Sequence, residues 1–171
     1  MSGLALRVTT EQFRRAQRLF NIAFLESVHL IHVRAANLSA EGCPVKSAEE
    51  KPMPTATASL VPNTNTFRVV FGHVVHGQRE AKGSTEVQVD ATFELIYSYP
   101  LDTQPVPTPE ELQGFADTNA LMNGWPYWRE LVQNMVGRMN LPPITVPVLR
   151  FVPPTPERKK EQTSETSKTE S

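Results

Sequence analysis

A single cysteine, Cys43, sits just before Pro44, so the chain can form no internal disulfide. That fits a reducing compartment. Charge of one sign is also scarce: 17 basic and 18 acidic side chains leave a net charge of −1. Nucleic-acid binders carry a clear basic excess, so no nucleic-acid partner is expected. No apolar run is long enough to span a bilayer. The opening MSGLALRVTTEQFRR has no apolar leader core. Neither membrane insertion nor a secretory leader is expected, and the expected location is the cytoplasm. GxGxxG, a phosphate loop, CxxC and HExxH are all missing, so no cofactor is expected. The four histidines form two pairs, His29/His32 and His73/His76. Three-residue spacing on a strand sends each pair to opposite faces, so no metal site is expected.

Proline is plentiful instead, with 15 residues, most of them outside the periodic segments. At 171 residues and 39% apolar, the chain reads as one globular domain with tails. Thr9 and Gln12 have capping-box spacing, and Phe13, Ala16, Phe20 and Phe24 follow at helical intervals. A helix over about 10–25 is predicted, with a solvated basic side at Arg14, Arg15 and Arg18. Val28, Leu30, Ile31 and Val33 then read as a strand, and 38–54 as a loop. Ala56, Ala58 and Leu60 alternate with polar residues in a short second strand, and 67–76 reads as a third.

The fourth strand has the clearest pattern. Val87, Val89, Ala91, Phe93, Leu95, Tyr97 and Tyr99 alternate with polar residues, which requires one buried and one wetter face. Thr108-Pro109-Glu110-Glu111 opens a helix by a cap, a proline suited to the first turn and two acids at the positive end of the dipole. Gly124 is expected to interrupt it and Pro126 to restart it. Trp128, Leu131, Met135 and Met139 then form an apolar stripe, and Leu141-Pro142-Pro143 ends the helix. The residues after Phe151 are polar enough to predict a disordered tail. Helix, four strands, then helices make an α+β protein with an antiparallel sheet. The expected units are an N-terminal helical extension over 1–27, an α+β domain over 28–152 and the tail over 153–171.

Catalysis needs a nucleophile beside a base, or paired carboxylates in a pocket. Glu86, Asp90 and Glu94 are accounted for as the wet face of a strand, Glu110 and Glu111 as helix-start residues. Glu130 beside Arg129 reads as a structural ion pair, so no enzyme is expected. Apolar residues crowd the last third, from Trp125 and Trp128 through Leu141, Ile144 and Val146 to Leu149. They suit a plain core, or a groove or subunit interface for which adaptable methionines are apt.

Trp125-Pro126-Tyr127-Trp128-Arg129-Glu130 resembles the aromatic-Pro-Tyr-x-Arg-Glu helix start of SecB export chaperones. Leu141-Pro142-Pro143-Ile144-Thr145-Val146 resembles the extended segment after that helix. The four-strand order agrees. The N-terminal helix, Pro109-Glu110-Glu111-Leu112 and Leu141-Pro142-Pro143 look closest to SecB-like chaperones found with toxin–antitoxin pairs. The resemblance implies a four-stranded antiparallel sheet with a long helix after it, assembled as a dimer of dimers. It also implies ATP-independent holding of non-native polypeptide in apolar grooves. Phe71, Trp125, Trp128, Leu141, Ile144 and Val146 are the residues expected to meet a client. Pro126, Tyr127, Arg129 and Glu130 are expected to build the helix start. In export SecB, acids on the sheet contact the SecA motor, and Glu86 falls at such a position. Val33-Arg34-Ala35-Ala36-Asn37 does not match the first-strand acids, and a polar tail replaces the second C-terminal helix. SecA, an antitoxin, or a folded partner bound by a non-chaperone module of the same fold all stay open as partners.

Overall fold

The computed structural model describes residues 4–37, 54–77, 87–140, 146 and 148–152. Strand β1 (Leu4–Arg7) leads into helix α1 (Thr10–Ile22). Strands β2 (Phe24–Asn37), β3 (Thr55–Leu60), β4 (Thr66–Gly77) and β5 (Val87–Ser98) follow. Helix α2 (Pro109–Phe115), one π-helical turn (Ala116–Ala120) and helix α3 (Leu121–Arg138) run on without a break, and β6 (Leu149–Val152) comes last. The expected α+β class holds: four antiparallel strands lie in the order β2-β5-β4-β3, with an N-terminal helix and a long helix after β5.

The core lies between this sheet and the α2–α3 helix. Inward residues of β5 alternate strictly with half-buried ones along its whole length, as its sequence requires. Their partners on β4 bring Phe67 opposite Tyr97, Val69 opposite Leu95 and Phe71 opposite Phe93. The Phe115 ring stands edge-on to both Phe67 and Tyr97, with centroids 5.3 and 5.0 Å away. Such pairs add about 0.5–1.5 kcal/mol beyond the area they bury.

Several local expectations need correction. Gly124 does not interrupt the helix. A Cβ there would lie 2.8 Å from Phe71 Cδ1, so glycine lets the helix settle onto the β4 ring. Pro126 sits inside α3 and does not restart it. Its missing amide would have bonded the carbonyl of Met122, and both residues are on the solvent side, where water can take that carbonyl. The buried stripe of α3 is Trp125, Trp128, Val132 and Val136, while Leu131, Met135 and Met139 are only half-buried at its flank. The helix ends at Arg138, followed by Asn140 in the left-handed conformation (φ 54°) that closes many helices.

The N-terminal helix stops at Ile22, not near residue 25. Phe24 and Leu25 instead pair with Ser98 and Tyr97, so β5 draws them into the sheet. The capping box at Thr9 and Gln12 is formed as expected. The buried face of α1 differs from expectation: Ala16 and Leu19 point inward, while Phe13 and Phe20 are exposed. Gly114 of α2 supplies the reason. A Cβ at Gly114 would lie 2.8 Å from Arg15 Cβ and 3.1 Å from the Gln12 carbonyl oxygen. The two helices meet almost backbone to backbone, and a phenyl ring cannot enter that gap. The parallel pair β1–β6, with Leu4 beside Leu149 and Val152 beside Arg7, was not foreseen. Four-residue strands are too short to show a period.

Candidate functional site

Four of the expected client-binding residues are core residues in this chain. Phe71 is fully buried, and Trp125, Trp128 and Val146 are nearly so. The two indoles stack with centroids 5.0 Å apart, and Trp128 Nε1 donates to the His73 carbonyl at 3.1 Å. The His73 ring lies 4.5 Å from Trp128 and 5.3 Å from Trp125. Burial lowers the His73 pKa from 6.5 to about 4, and its Nδ1 has no hydrogen-bond partner. This group seals the helix onto the sheet. Leu141, Ile144 and Glu86 lie outside the described residues, as do the loop over 38–53 and the tail.

The helix-start motif is mostly surface. Pro126, Tyr127 and Glu130 are exposed, and Arg129 is half-buried. The expected Arg129–Glu130 ion pair is not among the salt bridges of the described residues. Consecutive helical residues point about 100° apart, which keeps the two side chains from meeting. Arg129 Nε is buried without a hydrogen-bond partner.

Available apolar surface lies elsewhere, on β2. This 14-residue strand is an edge of the sheet, with β5 on one side and no strand on the other among the described residues. Register pairs Leu25 with Tyr97, Val28 with Leu95, Leu30 with Phe93, Val33 with Ala91 and Ala35 with Val89. Directly opposite residues share a face. These five therefore point to the core side, yet Leu25, Leu30 and Val33 remain 36–45% exposed. The α2–α3 helix covers β3, β4 and β5 and leaves this margin open. Phe24 and Ile31 add two more large exposed side chains to the strand. An edge of this kind offers unpaired backbone groups beside apolar side chains, the means by which an extended peptide is held by strand addition.

Sequence reading missed this site because the strand's period is irregular. The inward residues are spaced three, two, three and two apart, since register shifts at Glu26 and Ile31 each insert one residue. The same bulge corrects the histidine geometry. His29 lies opposite Glu94 and His32 opposite Thr92, so both share the outer face of the sheet. His73 and His76 do separate, with His73 packed on α3 and His76 exposed. Among the described residues, no cluster of His, Cys, Asp or Glu is suited to a metal ion. The outer face mixes charges: Arg34 stands opposite Asp90, and Arg68 approaches Glu94 at 3.9 Å.

A cleft of about 380 Å³ flanks the other sheet edge. Leu6, Val8, Ala56 and Leu121 give it apolar walls, and Gln12 and Asp117 a polar end. Gln113 Nε2 reaches the Ala56 carbonyl at 2.9 Å and Asp117 Oδ1 at 2.7 Å, pinning the helix to β3. No helix among the described residues is long and apolar enough to cross a membrane.

No family model matches the chain. Two curated relatives from Mycobacterium tuberculosis do: the SecB-like chaperone Rv1957 of strain H37Rv and the SecB-like chaperone MT2006 of the Oshkosh strain. Each is 36% identical over 81 residues, which is 45% of this chain and 45% of the relative, so the match spans about half the length of either protein. A solved structure of the Rv1957 SecB-like chaperone, in complex with a ChAD peptide from the Rv1956 HigA1 antitoxin, has a TM-score of 0.62 and 25% identity. That likeness covers 82% of this chain and 96% of the solved one. The family resemblance read from the helix-start motif is borne out: in sequence and in fold, this chain is similar to the SecB-like chaperones.

Proposed function

We propose that this chain is an ATP-independent chaperone that holds an extended apolar segment of an antitoxin in a toxin–antitoxin system. The observation that carries the reading is the open apolar margin of β2, with Leu25, Leu30 and Val33 exposed beside a strand edge left unpaired among the described residues. The likeness to a chaperone solved with an antitoxin peptide supports this class of client. Burying apolar side chains yields about 25 cal/mol per Å², and strand addition supplies sequence-tolerant hydrogen bonds. Neither step needs a nucleotide, a metal or catalysis.

A broader holdase, serving many unfolded proteins or export, is the second reading, because apolar area and backbone pairing are not selective. A SecA contact at Glu86 would belong to that reading, whereas the outer face around Asp90 and Glu94 is offset by Arg34 and Arg68. In either case the chain acts in the cytoplasm as a homo-oligomer, the dimer of dimers that the resemblance to export SecB implies. The boundaries 28–152 for the SecB-like body and 153–171 for a tail belong to the same proposal.

The test is aggregation suppression without ATP, run on an aggregation-prone antitoxin and on an unrelated denatured enzyme. Protection of the antitoxin alone supports the dedicated reading, and equal protection of both supports the broad one. Protection of neither, with tight binding of a folded partner, would make the chain an interaction module and sink the chaperone reading.

A further inference from the structure

We propose that the outer face of α1 is a second peptide-docking site, which takes one large apolar side chain of an extended client between the Phe13 and Phe20 rings and favours an acidic residue beside it. The proposal rests on the holding function above and adds a subsite to it. Phe13 and Phe20 stand two helical turns apart and are 54% and 59% exposed. Between them lies a depression of about 190 Å³, with buried Ala16 below and Gln17, Asn21 and Asn119 around it. It is large enough for a single side chain and too small to seat a helix.

The carboxamides distinguish this notch from a plain apolar patch. No hydrogen bond engages the side chains of Gln17 or Asn21 among the described residues, and Asn119 only accepts one, from the Thr118 hydroxyl at 3.2 Å. A carboxamide carries both donor and acceptor, matching the N–H and C=O of an extended backbone. Three of them around an aromatic pair can satisfy a peptide's backbone while its side chain fills the notch.

Charge sets the preference for acid. Arg14 and Arg15 share a single carboxylate, Glu11, each at 2.9 Å, and Arg18 is taken by Glu111 at 3.2 Å. The three arginines of α1 therefore meet two carboxylates in ion pairs. Arg14 is the most exposed of the three cations, with its side chain 74% open, and it shares a helical stripe with Gln17 and Asn21. A second copy fits this face less well, because pairing two α1 helices would bring like charges together. One ring pair also falls far short of the roughly 1,200 Å² that stable protein interfaces bury.

The probes are short fluorescent peptides of Gly and Ser carrying one central Leu, flanked by Glu in one series and by Lys in the other. Fluorescence anisotropy should show the intact protein binding the Glu series more tightly. Phe13→Ser with Phe20→Ser should weaken that binding by about tenfold or more. Arg14→Glu, at an exposed position, should reverse the Glu-over-Lys preference. Circular dichroism checks that each variant is folded. Unchanged binding and preference in folded variants would overturn the proposal. So would a fall in assembly mass by light scattering with peptide binding intact, which would make a second copy the occupant. If the intact protein suppresses aggregation but binds neither series, the α1 site fails and the holding function stands. If it binds the Glu series through Phe13 and Phe20 but suppresses no aggregation, the site stands and the holding function fails.

Discussion

Strands β5 and β2 are hydrogen-bonded neighbours over nearly their full lengths, and they meet opposite fates. Every inward residue of β5 is buried beneath the α2–α3 helix. Their partners on β2 face the same way, yet Leu25, Leu30 and Val33 stay partly open. Alternation along a strand tells which side an apolar residue takes. Whether anything lies above that side depends on the width of the covering layer. The α2–α3 helix spans β3, β4 and β5, and the β2 margin left over is the surface available to a partner.

The largest expected effect tests the covered half. Trp128 is almost fully buried and is tied to β4 through the His73 carbonyl. Trp128→Ala should destabilise the chain by about 3–5 kcal/mol, read from denaturant unfolding. A cost below about 1 kcal/mol would mean that the helix does not seal the sheet there.

The next probes the same seal by pH. Burial keeps His73 neutral in the folded chain, with its pKa lowered from 6.5 to about 4. Below pH 6.5 the unfolded chain takes up a proton that the folded chain refuses. Stability should therefore be level above that pH and fall as pH drops toward about 4. His73→Gln should remove about 1–2 kcal/mol of this acid loss, after allowance for the ring's partial contact with solvent. An unchanged acid limb in the variant would show that His73 is not the group responsible.

The uncovered half should respond in function more than in stability. Leu30→Ser with Val33→Ser should shift unfolding by less than about 1 kcal/mol, while aggregation suppression falls sharply. A stability loss as large as that of Trp128→Ala would reveal a cover over β2 and erase the contrast between the strands.

The smallest effect is expected at the helix-start motif. Glu130 is exposed and unpaired with Arg129, so Glu130→Ala should change stability by no more than about 0.5 kcal/mol by thermal unfolding. A large loss would restore the ion pair that the adjacent spacing led one to expect.

The strict period of β5, the capping box at Thr9, the cap at Thr108 and the proline start of α2 could all be read directly from the residues. Each is a local matter, settled by side-chain alternation or by hydrogen bonds across three residues. The aromatic motif of α3 was legible as a resemblance, and its indoles suited a core or a groove. Burial decided for the core at Trp125 and Trp128. The β2 margin was not legible, because bulges at Glu26 and Ile31 break the period that would reveal its inward face.

By itself, then, the sequence determined the kinds of the longer elements and the inward side of the regular strands. These follow from short-range chemistry that a few neighbouring residues contain. Only the tertiary structure decided exposure. Gly114 draws α1 close through Ala16 and turns Phe13 and Phe20 outward. Gly124 seats α3 on Phe71, over β4 and β5, and leaves β2 bare. Both outcomes depend on which residue from a distant part of the chain arrives opposite, and no local pattern carries that information.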